Sequence, residues 1–175
     1  MKDKNIVPTD KELVMRETDF IVSKTDTKGR LTYGNRIFNE FAGLDEADLL
    51  GKQHNIIRHP DMPRSVFNLL WQRIQDGEEI FAYVKNMSSD GSYYWVYANV
   101  TVSLDANGKS IGYYSVRRKP SAKAMQVIPD LYDAIRAEET RVPAKDQINA
   151  GTKLLQAKLA ELGATYDQFV YQLQG

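Results

Sequence analysis

The sequence predicts an α+β fold: a five-stranded antiparallel sheet with flanking helices, continued by a C-terminal helical extension. Three observations predict it. Two β-like runs, Phe20-Ile21-Val22 and Leu31-Thr32-Tyr33, flank the turn sequence Asp26-Thr27-Lys28-Gly29-Arg30. Three longer runs between Ile80 and Arg118 are rich in aromatic and β-branched residues. Between the two sets the apolar residues recur at helical spacing. Strands split two-then-three around a helical stretch indicate an antiparallel sheet rather than βαβ units.

Each element has a local cause. Thr9-Asp10-Lys11-Glu12 fits a capping box before Leu13-Val14, so a short helix or turn is expected near 9–16. The hairpin over 20–33 follows. From Asn35, Ile37, Phe38, Phe41 and Leu44 fall on one helical face, and Asp45–Leu50 reads as a second short helix closed by Gly51. The segment His54–Pro63 is too broken by proline for a long helix. Val66, Leu69, Leu70 and Ile74 mark a firm helix ended by Asp76-Gly77. Strands are expected at Ile80–Asn86, Tyr93–Leu104 and Ile111–Arg118, joined by Ser88-Ser89-Asp90-Gly91 and Asp105-Ala106-Asn107-Gly108. Pro120 closes that unit. Met125, Ile128, Leu131 and Ile135 then make a helical stripe, with Pro129 in its first turn. Arg141-Val142-Pro143 interrupts it. Ile148, Leu155, Leu159 and Leu162 form the next stripe, stopped by Gly163, and Thr165–Leu173 a last short helix. The expected divisions are an N-terminal cap at 1–19, a central α+β domain at 20–120 and a helical extension at 121–175.

Composition excludes several functions. The 175 residues balance 23 basic against 23 acidic side chains, which argues against a dedicated nucleic-acid binder. There is no cysteine, so disulfides, zinc–thiolate sites, iron–sulfur clusters, a cysteine nucleophile and any cysteine-linked chromophore are excluded. No apolar run reaches the ~18 residues of a spanning helix, and the start lacks the apolar core of a secretory leader. The expectation is a cytoplasmic chain with no direct membrane insertion. Phosphate-loop, dinucleotide and nucleophile-elbow motifs are missing, and His54 and His59, the only histidines, lack zinc-protease spacing. No catalytic set is expected, and the chain reads as a non-enzyme.

The chemistry-bearing residues are concentrated. His54, Asn55, Arg58, His59 and Asp61 fall within eight positions, presented by a proline-restricted backbone. Arg58 suits a phosphate or carboxylate, and the imidazoles donate, accept or change charge near neutral pH. Together they form a grip for an anionic, hydrogen-bonding cofactor. Asp61 is equally placed to N-cap the helix that follows. Asn35, Asn86 and Asn99 form a second group: a buried amide needs partners at both ends, and a heteroaromatic ring with C=O and N–H groups supplies them. Asn35 is as well placed to cap a helix, and Asn86 to begin a turn. Asn99 sits inside a strand, where asparagine is depleted. Trp71, Phe81, Tyr83, Tyr94 and Trp95 are candidates to wall a flat ring, Trp71 foremost.

These residues carry a resemblance. TDTKGRLTYGN, HNIIRHPDMPRSVFNLLW, FAYVKN, DGSYYWVYANVT and IGYYSVRR closely resemble the PAS domain of bacterial aerotaxis and redox-taxis receptors, over about 20–120. The resemblance implies a PAS fold with helices over one face of the sheet, and FAD bound non-covalently as a redox sensor. The family's flavin-binding positions match Asn35, His54, Arg58, His59, Asp61, Trp71 and Asn86, with Asn99 in a matching motif and Asn55 inside the same cluster. Ile80 and Ala82 stand where many members carry tryptophan and glycine. Such receptors continue into a membrane anchor and a long signalling coiled coil; this sequence resembles a short, stand-alone form working beside a separate receptor. The expected function is an FAD-binding sensor of oxygen or redox state that signals to a chemotaxis receptor, with homodimerisation as a further expectation. The alternatives are a haem gas sensor using His54 or His59, and a cofactor-free interaction module.

Overall fold

The first hairpin is closed by side-chain chemistry that the sequence displays. In this computed structural model, which describes residues 6–175, β1 (Ile21–Thr25) pairs antiparallel with β2 (Leu31–Gly34). Asp26 Oδ1 accepts from the backbone N–H groups of Lys28 and Arg30, and Gly29 adopts a φ of +74°, where a Cβ is penalised. α1 (Arg36–Ala42) begins at Asn35, whose side chain accepts from Phe38 N, and stops at Gly43. α2 (Glu46–Leu49) and a one-turn 3₁₀ helix (His54–Ile57) lead to α3 (Arg64–Gln75). β3 (Ile80–Met87), β4 (Tyr93–Leu104) and β5 (Ser110–Arg118) complete an antiparallel sheet of order β2-β1-β5-β4-β3. The five-stranded α+β expectation holds.

Two expectations are corrected. No helix forms at 9–16. Thr9 N donates to Gly91 O, Leu13 N to Tyr93 O, and Tyr93 N to Lys11 O, so the segment runs extended beside the start of β4. Met15 is buried while Val14 is exposed, a period of two rather than 3.6. Residues 1–5 of the expected 1–19 cap lie outside the described residues. The stripe from Met125 to Ile135 is two helices, α4 (Ala122–Met125) and α5 (Ile128–Thr140). α6 (Gln147–Glu161) and α7 (Tyr166–Gln174) follow, the latter opened by a Thr165–Gln168 capping box.

Alternation assigns the two faces of the sheet. Ser23, Asn86, Ala98, Ser115 and Arg117 point inward, toward α3. Tyr83 and Tyr97 point outward, yet both are buried, because the extension packs over edge strand β3. Tyr132 on α5 donates to Tyr83 O at 2.8 Å, and Tyr83 donates to Val170 O at 3.2 Å. Ile135, Phe169, Val170 and Leu173 are buried with them. Each such apolar side chain contributes about 1.5–3 kcal/mol on burial. The extension therefore covers a sheet edge that would otherwise offer unpaired backbone groups.

Candidate functional site

Small side chains on neighbouring strands leave a gap between the sheet and α3. Ala82 pairs with Ala98, Ala98 with Arg117, Val100 with Ser115 and Ser115 with Ser23. The result is a cavity of about 260 Å³. Phe67, Leu70, Trp71 and Ile74 of α3 form its opposite wall; His54 lines it beside Arg117, and Asn55 and Arg58 lie where it adjoins a neighbouring surface cleft. Trp71 stands edge-on to Tyr113, ring centroids 5.6 Å apart, which fixes both aromatic walls. The aromatic side chains line the space without filling it.

Polar atoms in this wall have hydrogen-bonding capacity to spare. Asn86 Nδ2, Ser115 Oγ and Arg117 Nη1 are buried and meet no hydrogen-bond partner. Asn86 is 2 % exposed, Arg117 3 % and Ser115 9 %. Leaving such a group unmade costs about 1–3 kcal/mol. A ligand presenting carbonyl oxygens and ring nitrogens to an amide, a hydroxyl and a guanidinium would satisfy all three. A flavin ring fits that donor set.

Arg117 organises one side of the cavity. Its Nη2 lies 2.7 Å from His54 Nε2 and also donates to the Ser23 hydroxyl. A guanidinium only donates, so His54 Nε2 accepts and the ring carries its proton on Nδ1. Burial, with the positive charge of Arg117, pulls the His54 pKa down to about 3. The imidazole is therefore neutral at physiological pH. Burial also lowers the Arg117 pKa, to about 10, which still leaves it charged. Among the described residues no carboxylate forms an ion pair with it. A buried cation without a counter-charge, against a cavity, suits a ligand that bears or acquires negative charge.

The nine expected ligands do not form one set. His54, Asn55, Arg58, Trp71 and Asn86 line the cavity. Asn35, His59, Asp61 and Asn99 do not reach its wall. Asn35 is fully engaged: its Oδ1 accepts from Val22 N and Phe38 N, and its Nδ2 donates to Phe20 O. It caps α1 and ties that helix to β1. Asn99 lies on the outer face, where Nδ2 donates to Glu79 Oε1. Asp61 does not cap α3; the N-cap is Pro63, with no side-chain bond of its own. Asp61 instead pairs with Lys85 at 2.8 Å and Arg136 at 3.0 Å. Burial raises its pKa, but Lys85, His59 and Arg136 outweigh that and hold it below the ordinary carboxylate range. His59 is buried behind this pair, its Nδ1 accepting from Asp61 N.

Arg58 stands between the cavity and the surface. Its guanidinium stacks on Phe67, 4.0 Å from the ring centroid, and donates to Met62 O at 3.0 Å. Of the ring-wall candidates, Phe81, Tyr83 and Trp95 belong to the outer face by alternation. Tyr94 is buried against Phe41. The residues that sequence reasoning missed are Ser23, Ser115 and Arg117. Their signal was present: Tyr113, Ser115 and Arg117 alternate along β5, placing a hydroxyl and a cation on the buried side.

Comparison with known proteins agrees with this geometry. Residues 31–117 match the family described as the PAS fold. The chain is 35 % identical over 120 residues to the aerotaxis receptor of Escherichia coli (strain K12), which covers 69 % of this chain and 24 % of that protein. It thus spans about a quarter of that relative's length. Among solved structures, the dark structure of the blue-light photoreceptor Aureochrome1 LOV superposes with a TM-score of 0.56 at 19 % identity, covering 64 % of this chain and 82 % of that one. A structure titled for a flavin analogue in a light-oxygen-voltage domain gives 0.55 at 18 % identity, covering 70 % and 87 %. At these identities the structural matches establish the fold.

Proposed function

This chain belongs to the PAS fold family, and from that premise we propose that it is an FAD-binding redox or oxygen sensor that signals to a chemotaxis receptor. The observation that carries the reading is the cluster of unsatisfied donors, Asn86 Nδ2, Ser115 Oγ and Arg117 Nη1, in the wall of one cavity. The flavin, when bound, supplies a reversible redox couple whose reduction adds electrons and protons to its ring. Asn86, Ser115 and Arg117 would hold it, and Trp71 and Tyr113 would line its site. His54, neutral and bonded to Arg117, fixes that guanidinium in the cavity wall. Arg58 would meet a phosphate-bearing side chain where the cavity adjoins the neighbouring cleft.

The same residues supply a route for the signal. Asn86 lies on β3, the strand over which the extension packs. A change in what Asn86 and Arg117 bond would shift β3 and β5 against α5 and α7. A two-state change in extension packing is the output we propose. We read the chain as a sensor rather than an enzyme, and as cytoplasmic. Among the described residues, no helix is long and apolar enough to cross a membrane. The haem alternative fits less well, because His54 Nε2 is taken by Arg117 and Ser23, and His59 does not face the cavity.

The test is the ultraviolet–visible spectrum of the purified chain before and after dithionite. A two-banded yellow spectrum that bleaches on reduction supports the reading, and chromatography of the released cofactor identifies FAD. A single intense Soret band, or no visible absorption after refolding with FAD, overturns it.

A further inference from the structure

Asn55 and Arg58 belong to two spaces at once. One is the cavity above; the other is a cleft of about 400 Å³ whose far wall is the C-terminal extension. Arg136 and Glu139 of α5 and Gln147 of α6 line that wall, facing Arg64 at the start of α3. The cleft thus holds three arginines and one carboxylate. That carboxylate is already engaged. Glu139 accepts from Arg64 N at 2.9 Å, Ser65 N at 2.8 Å and the Ser65 hydroxyl at 2.7 Å. Arg64 Nη1 meets only a neutral partner in the cleft, Gln147 Oε1, at 2.8 Å. Burial, and then the charge of Arg64, lower the Arg58 pKa, against the opposing charge of Glu139. Arg136 shares Asp61 with Lys85 and also meets Asp133 Oδ1 at 3.4 Å, so Arg58 and Arg64 carry the excess. The cleft therefore carries excess positive charge directly beside the mouth of the cavity.

Size points the same way. Pockets that enclose a drug-sized ligand run to roughly 300–1,000 Å³. A cavity of about 260 Å³ takes a fused ring system but not a dinucleotide. The remainder must leave past Arg58, and past Arg58 lies the cleft.

We propose that this cleft binds the diphosphate and adenosine end of FAD, so that the C-terminal extension completes the cofactor site and selects FAD over flavins with one phosphate or none. Arg64 and Arg136 grip the diphosphate from opposite sides, as planar forks suited to phosphate oxygens. Gln147 holds Arg64 in place. The inference rests on the flavin reading above and goes beyond it, because it assigns binding residues outside the sensor domain.

The test titrates the apo chain, residues 1–175, with riboflavin, FMN and FAD, following quenching of flavin fluorescence. Arg64→Gln, Arg136→Gln and Gln147→Glu are compared with the unaltered chain. The unaltered chain is expected to bind FAD at least about tenfold more tightly than riboflavin, since a charge-assisted hydrogen bond is worth that much. Each variant is expected to lose about tenfold on FAD while its riboflavin affinity stays the same. Riboflavin is the internal control for folding, and Gln147→Glu adds a negative charge without changing size. Equal affinity of the unaltered chain for FAD and riboflavin, or unchanged FAD binding by Gln147→Glu, overturns the proposal and leaves the flavin reading standing. Failure of the unaltered chain to bind any of the three flavins overturns both.

Discussion

Glu139 on α5 and Ser65 on α3 meet with a hydroxyl-to-carboxylate distance of 2.7 Å, and both are buried. The same carboxylate accepts the first backbone N–H groups of α3, so the extension supplies the N-terminal cap that Pro63 cannot. α3 is also the wall of the cavity. One ion thus joins the extension to the ligand-facing helix. Gly151 of α6 packs against the pair so closely that a Cβ there would stand 2.5 Å from both Glu139 Oε1 and Ser65 Oγ.

Glu139→Ala is expected to lower stability by about 1–3 kcal/mol, because it orphans two buried N–H groups and a hydroxyl. Chemical denaturation measures it. Gly151→Ala should destabilise by the same route, through forced displacement of the carboxylate. A Glu139→Ala chain as stable as the unaltered one would show that the cap is replaced by water.

Removing the Arg117 charge should make the bound flavin harder to reduce. Reduction puts negative charge into a cavity whose buried cation is otherwise unpaired. Arg117→Gln is expected to shift the midpoint potential downward, with Arg117→Lys lying between. Spectroelectrochemical titration reads the shift. An unchanged potential in a flavin-loaded Arg117→Gln chain would place the guanidinium away from the ring.

Acid should weaken the apo fold through His54. Its ordinary pKa of 6.5 falls to about 3 in the folded chain. Between those values the unfolded chain binds a proton that the folded chain does not. Stability is therefore full above about pH 6.5 and falls as pH decreases. Asp61, whose pKa is also lowered, adds a loss of the same sign at lower pH, as it protonates. Urea midpoints between about pH 5 and pH 7 should fall for the unaltered chain and flatten for His54→Asn.

Asn86 should govern both affinity and signalling. Asn86→Asp replaces an orphan donor with an acceptor and is expected to weaken flavin binding by about tenfold or more. Asn86→Ala should retain some flavin but uncouple its redox state from the extension. Limited proteolysis of the oxidised and reduced chains tests this: equal redox sensitivity in Asn86→Ala would remove Asn86 from the route.

The strands were legible because their causes are local. Turn sequences at Asp26–Arg30, Ser88–Gly91 and Asp105–Gly108 delimit runs with strong β preference. The segment at 9–16 was misread for a related reason. A Thr-x-x-Glu spacing is compatible with a helix start, but the N–H and C=O groups there found partners in Gly91 and Tyr93, which are distant in sequence. Asp61 likewise had a local role available, and two cations from β3 and α5 took it instead.

By itself the sequence determined the strands and their order in the chain, the sheet class, the density of polar residues between His54 and Asp61, and the resemblance to a PAS domain. These follow from periodicity, turn chemistry and motif, which are written over a few neighbouring residues. Only the tertiary structure decided which residues share a cavity. Cross-strand register brought Ser23, Ser115 and Arg117 beside His54, and turned Asn99 to the other face. Packing placed Arg136 and Gln147 opposite Arg64. A cavity wall is assembled from residues far apart in the chain, and the forces that choose them, burial and charge, act between side chains that only folding brings together.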